Sequence, residues 1–434
     1  MKTGLKEVNS FTRELDVTVA WENLSNGFEK EFKKAQSTFE LKGFRKGKVP
    51  LNIVKKNLLP SIEAHFAEHA LNEYYRKALD ELDLNPINQA QINKLHFHEG
   101  CDLEFVAEFE VTPTVKLPKY DKKFKIKTTR YMASTDDIDA ALKEIRERHS
   151  TIKTIEDGAA SGHFVNGDFQ ELDAAGNAID GRKIEKQYIK LGEAAFSGDA
   201  EKAFHGAKAG DEVKSEINYE EDKKVTYLVN VHKVEEQVLP ELDEEFAVLA
   251  DPEVKTMDEL NSKLEAQIQT SLDNEHEKEI QKEVMDYFVK KSKLDAPTSM
   301  IENYLTHVVD DVKSKNQNNQ PIDEENLKNA YKETAESSVK WYLIKDAIIS
   351  EAGLDVSKDL VQTKIDEFIE QNPKQKNEIK KFYRKSGNKE KLYEDLLNET
   401  LFKHINEFVT NKISEKSTAE LKKGKKLWIN LKRC

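Results

Sequence analysis

Between Phe11 and Trp21 the chain alternates, with Leu15, Val17, Val19 and Trp21 on one side, which predicts a half-buried strand. Phe28, Phe32, Ala35 and Phe39 then recur at helical spacing, with Ser25 as the expected N-cap. After a short Gly-rich loop, Pro50 is expected to open a second helix at its first position. That helix carries Ile53, Val54, Ile62, Phe66, Ala70, Leu71 and Tyr74. Two strands follow, Ile92 to His98 and Asp102 to Val111, the second with Leu103, Phe105, Ala107, Phe109 and Val111 on one face. Residues 1–112 therefore read as one α+β domain. Residues 113–149 read as an extended connector with a short helix opened by Ser134 or Thr135, with Ile138, Leu142 and Ile145 inward.

The texture changes over residues 150–236, which hold nine of the chain's 17 glycines. Short alternating runs lie between them at Phe164–Leu172, Gln187–Leu191, Glu212–Ile217 and Val225–Val234. That pattern predicts a small antiparallel β domain. Residues 237–434 read as helices: Leu260 to Phe288, then Met300 to Val312, then a helix opened by Asp323 and closed by Gly353. Shorter helices are expected over Leu360–Ile369, Asn377–Tyr383 and Lys389–Ile413. No sustained heptad runs through them, so a splayed bundle with arms is expected over a coiled coil.

Composition narrows the classes. Hydrophobic residues make up 38% and charged residues 34% of 434, lean and rich respectively against globular usage. No run of about 18 apolar residues occurs, so no membrane-spanning helix is expected. The net charge of −13 argues against a nucleic-acid coat over the whole surface. Two cysteines, Cys101 and Cys434, make neither a disulfide framework nor a metal knuckle. Met1 to Glu7 lacks the apolar stretch of a secretory signal. A cytoplasmic protein is the expectation.

Against the acidic average, Lys42, Arg45, Lys46, Lys48, Lys55 and Lys56 crowd between Leu41 and Lys56 with no acid among them. Phe44 lies in the tight turn that Gly43 and Gly47 allow. A solvated basic loop with the ring folded inward is one reading. The other is a tip whose cations meet phosphates while the ring meets a partner groove. The loop is one residue short of a phosphate-binding Walker motif, and Val49 stands where Ser or Thr is needed. His96 and His98 have no third ligand nearby in sequence, and no His marks Cys101 as a nucleophile. No metal, cofactor or acid–base pair is therefore expected.

The octapeptide from Gly43 to Pro50, set between two helices after a strand, resembles the ribosome-docking signature of the trigger factor family, the bacterial ribosome-associated chaperones. The resemblance extends along the whole chain. Its order is ribosome-binding domain, connector, FKBP-like isomerase domain, then a long helical domain. Glu235 to Phe246 is similar to the family's exit from the isomerase domain, and Gly206 to Val213 to its turn and strand. The resemblance implies that Gly43, Phe44, Arg45, Lys46, Gly47 and Pro50 dock beside the exit tunnel, on protein and rRNA of the large ribosomal subunit.

It also implies an aromatic pocket that twists prolyl bonds without a nucleophile. Phe164, Tyr188, Phe196, Phe204 and Tyr227 are the candidates to line it. Residues 194–204 lack the family's Pro-Gly-Phe element, and the loop at 218–224 is too short for its aromatic flap. The sequence thus leaves open an isomerase or an accessory peptide-binding surface.

The expected whole is an α+β multidomain, ATP-independent chaperone that shields unfolded nascent polypeptides at the tunnel exit. Two alternatives remain at this point: prolyl isomerisation as the main activity, and a ribosome-independent assembly chaperone. A homodimer off the ribosome is a further expectation. The basic segment from Lys422 to Arg433, with Leu427, Trp428, Ile429 and Leu431 inside it, reads as a second anionic-surface contact or a frayed tail.

Overall fold

The computed structural model describes residues 1–45, 47–120, 124–219, 223–316 and 321–422. Two compact units form: residues 1–128 with 279–412, and residues 129–278 with the described residues from 413 onward.

The first unit opens with β1 (Lys2–Glu7) and β2 (Thr12–Val19), then α1 (Trp21–Thr38) and α2 (Leu51–Glu81), then β3 (Gln91–His96) and β4 (Leu103–Glu110). The strands form one sheet in the order β1-β2-β4-β3, antiparallel throughout. Register sets Leu15 opposite Ala107 and Val17 opposite Phe105, so the alternating apolar faces of β2 and β4 coincide. Those faces and the helices bury Phe28, Phe32, Phe66 and Phe97 in one core. Ser25 is not the cap of α1. It lies inside the helix, and the N–H of Trp21 donates instead to Asp102 at 2.9 Å. Pro50 is the N-cap of α2 rather than its first helical residue.

The chain continues as β5 (Phe124–Met132) and α3 (Thr135–Arg148). Here the expected cap is present: the Ser134 N–H donates to Asp137 at 3.0 Å. In the second unit, β6 (Thr151–Ile155), β7 (Phe164–Leu172), β8 (Ala178–Lys190), a short α4 (Asp199–Lys202), β9 (Glu212–Tyr219) and β10 (Lys223–Val238) follow. The sheet runs β6-β10-β7-β8, and β9 also pairs with β10. The strand expected at Gln187–Leu191 is the end of β8, which begins nine residues earlier. Its residues are mostly exposed, so burial left no alternation to read.

Helices complete the chain: α5 (Glu244–Ala250), α6 (Met257–Ser292), α7 (Thr298–Lys315), α8 (Glu324–Ala352), α9 (Lys358–Gln371), α10 (Lys376–Tyr383) and α11 (Ser386–Asn406). Leu260 and Leu264 of α6 pack with Leu142 of α3 and Phe246 of α5 in the second unit. Val284 and Phe288 join Phe124, Trp341, Ile344, Leu401 and Ile405 in the first. Asp323 caps α8 through Asn326 N–H at 3.0 Å, and Gly353 ends it in the left-handed region. The helix expected to reach Ile413 stops at Asn406. Residues Val409–Ser417 are instead a strand, β11, paired with β5, and a short α12 (Thr418–Lys422) follows.

Candidate functional site

The loop between α1 and α2 is built from its buried end outward. Val49 is fully buried, and its carbonyl accepts from the Gln36 side chain at 2.8 Å. Gly47 has φ +73°, and a Cβ there would stand 3.2 Å from the Ser37 carbonyl oxygen. Only glycine fits that approach without strain. Gly43 has φ +100°. Two turn hydrogen bonds close the tip, Phe44 N–H to Leu41 at 3.0 Å and Lys48 N–H to Arg45 at 2.9 Å. Phe44 is thereby held 43% exposed, beside exposed Lys42, Arg45 and Lys48. The ring is not folded into the core. Lys46 lies outside the described residues. Lys55 is already matched, ion-paired with Glu99 at 2.5 Å, a partner that sequence spacing could not reveal.

The five candidates for an isomerase pocket fall into two groups. Phe196 and Phe204 pack edge-on at 6.1 Å, and Phe169 joins Phe196 at 5.6 Å and Tyr227 at 6.2 Å. Phe204 is fully buried, and Phe169 and Tyr227 nearly so. These rings form the β-domain core. Phe164 and Tyr188 belong elsewhere: they stack on each other at 5.1 Å and 13°. The Tyr188 hydroxyl donates to Glu235 at 2.8 Å. Desolvation, then this bond and the carboxylate charge, push its pKa up to about 12.

Exposed apolar surface occurs at three further places. In the N-terminal sheet, Leu5, Leu15, Ala107 and Ile92 share one cross-strand row, and its outer members Leu5 and Ile92 are exposed. Between α9 and α10 a cleft of about 420 Å³ is lined by Phe368, Ile379, Phe382 and Tyr383, with Phe382 54% exposed. In the second unit α3, α5 and α6 border another cleft, of about 410 Å³. Among the described residues no helix is long and apolar enough to cross a membrane, and no group of three or more His, Cys, Asp or Glu side chains could hold a metal.

Family models described as bacterial trigger factor protein and bacterial trigger factor protein C-terminus match residues 1–145 and 256–407, together more than half of the chain. This chain belongs to the bacterial trigger factor family. The trigger factor of Chlorobaculum tepidum is 26% identical over 378 residues, 86% of this chain and 88% of its own. That of Bacillus mycoides is 28% identical over 390 residues, 85% and 91%. That of Geobacter metallireducens is 26% identical over 424 residues, 94% and 95%. A solved trigger factor chaperone shares the fold at a TM-score of 0.53 and 18% identity, over 94% of this chain and 100% of that one. The trigger factor fold thus accounts for the α+β N-terminal region, the antiparallel middle sheet and the helical remainder.

Proposed function

We propose that this chain is an ATP-independent chaperone that docks on the large ribosomal subunit beside the exit tunnel and shields nascent polypeptides. Family membership supports the ribosome and unfolded chains as its partners. The observation that carries the docking site is the tip of the α1–α2 loop. Gly47 and buried Val49 fix its base, and Phe44 stands exposed among cations. Such a tip suits a composite target, with cations on rRNA phosphates and the ring in a groove of a ribosomal protein. Gly43, Gly47 and Pro50 would shape the loop, and Phe44, Arg45 and Lys46 would make the contact.

Clients would meet scattered apolar surface, including Leu5, Ile92 and the Phe382 cleft. Burial returns about 25 cal/mol per Å², offset by ordering costs, so binding is weak and fast. Release follows when folding hides the client's own apolar surface. In this reading residues 1–112 dock, 113–149 connect, 150–236 form the FKBP-like accessory domain, and 237–434 form the helical cradle. The protein works in the cytoplasm and pairs as a homodimer away from ribosomes.

Co-sedimentation with 70S ribosomes at low and high salt tests the reading, comparing the natural chain with Phe44→Ala/Arg45→Ala/Lys46→Ala. Salt-sensitive pelleting lost in the triple variant is expected. Equal pelleting of both would move the contact off the loop.

A further inference from the structure

The cleft among α3, α5 and α6 in the second unit is floored by Ala141, Ile145, Leu260, Leu264 and Ile268. The cations on its border are already matched. Lys263 pairs with Asp251 at 2.5 Å and Glu253 at 3.0 Å, and Arg148 with Glu144 at 3.7 Å. What the cleft offers an occupant is therefore apolar contact.

The C-terminal part of the same unit points to that occupant. Thr418 is 2% exposed, and its hydroxyl bonds Ser134 Oγ at 2.9 Å and the Asp137 carboxylate. This fastens the chain to the N-terminal end of α3, four residues before Lys422, beyond which residues 423–434 lie outside the described residues. That remainder carries Leu427, Trp428, Ile429 and Leu431 within five residues.

Reach is sufficient. At 1.5 Å per residue, the cleft residues from Ala140 to Arg148 lie roughly 9–21 Å along α3 from the Ser134 anchor. Four helical steps from Thr418 to Lys422 and five extended steps from there to Leu427 span up to about 23 Å. Residues 421–434 hold six cations and no acid, and the end of α3 to which Thr418 is fastened opens with Asp136 and Asp137.

We propose that the Leu427–Leu431 block docks in the α3–α5–α6 cleft of its own chain. A tethered segment acts at an effective concentration of about millimolar, so it holds the cleft against weak competitors in trans. Any other apolar chain that uses this cleft must displace it.

The test follows Trp428 emission in the full chain, isolated by subtracting the spectrum of Trp428→Phe. The natural chain should show a blue-shifted, quencher-protected indole. Ala140→Lys/Gln267→Lys alters two exposed cleft positions that the fold tolerates, and it should shift that emission to the red. A solvated indole in the natural chain, or no response to the cleft variant, overturns the proposal. So does a blue shift lost on dilution, which would assign the cleft to a second copy, or one seen only with ribosomes present. Loss of ribosome binding in the Phe44 variants leaves the Trp428 signal unchanged, which separates this proposal from the docking loop.

Discussion

Ser299 donates both its backbone N–H and its hydroxyl to one oxygen of Glu110, at 3.0 and 2.5 Å. Glu110 ends β4, and Ser299 lies in the first turn of α7, whose cap position is Pro297 and offers no side-chain acceptor. The carboxylate thus caps a helix 189 residues away and meets the positive end of its dipole. Glu110→Ala should cost about 2 kcal/mol and Ser299→Ala about 1, because bonds to a charged, half-buried acceptor are the stronger kind. Urea unfolding of the single and double variants checks this. Strictly additive losses would show that the pair is not coupled.

Gly47→Ala should weaken ribosome pelleting although it removes no contacting side chain. The added methyl meets the Ser37 carbonyl at 3.2 Å in a left-handed backbone conformation, which costs about 1–2 kcal/mol and reshapes the tip. Phe44→Ala should weaken pelleting with stability unchanged, since the ring is exposed. Parallel thermal melts and sedimentation distinguish the two; pelleting unaffected by Gly47→Ala would mean that tip shape is irrelevant.

The β7–β8 hairpin should loosen in acid. Asp168 accepts from the Lys186 N–H at 2.9 Å and pairs with Lys183 at 3.1 Å, and both effects, in that order, lower its pKa. The Asp173 pKa falls mainly through the N–H of Asn177. A lowered folded pKa means the contribution is complete above the unfolded carboxylate value of about 3.9 and disappears as pH falls through the lower folded values. Amide exchange across β8 between pH 5 and 2, in steps of about half a unit, reads it. Asp168→Asn should flatten the Asp168 part of that acid limb.

Phe196 is half-buried and packs on Phe169 and Phe204, and no ring contact joins it to the Phe164–Tyr188 stack among the described residues. Against a barrier of about 18–20 kcal/mol, the domain is expected to leave cis–trans exchange of an Xaa-Pro tetrapeptide at the uncatalysed rate. Phe196→Ala should change nothing. Acceleration that Phe196→Ala removes would establish the isomerase reading instead.

Local signals were legible. The Ser134 cap, the Asp323 start, the Gly353 stop and the alternation of β4 are written in adjacent residues and appear where the pattern puts them. Signals that depend on distant partners were not. Ser25 looks like a cap, but Asp102 supplies it from 81 residues away. Leu401, Ile405, Val409 and Ile413 repeat every four residues as one helix would, yet pairing with β5 turns the second half into a strand. β1 carries no such signal, because an exposed edge strand has no buried face to alternate with. For the docking loop, the sequence supplied the residue types. The buried Val49 base and the Lys55–Glu99 pair needed the fold.

The reach of Asp102 to Trp21 also sets an order of assembly. Helix α1 is made early in synthesis, but its first turn is capped only when a residue 81 positions later has left the ribosome. Until then β2 also lacks β4, its partner across the whole register from Thr12 to Val19. Contacts this far apart in sequence form slowly and leave apolar strand surface open meanwhile. A newly made copy of this chain therefore emerges with β2 unpaired on its β4 side until residues 103–110 are out, the condition in which its proposed clients would be met.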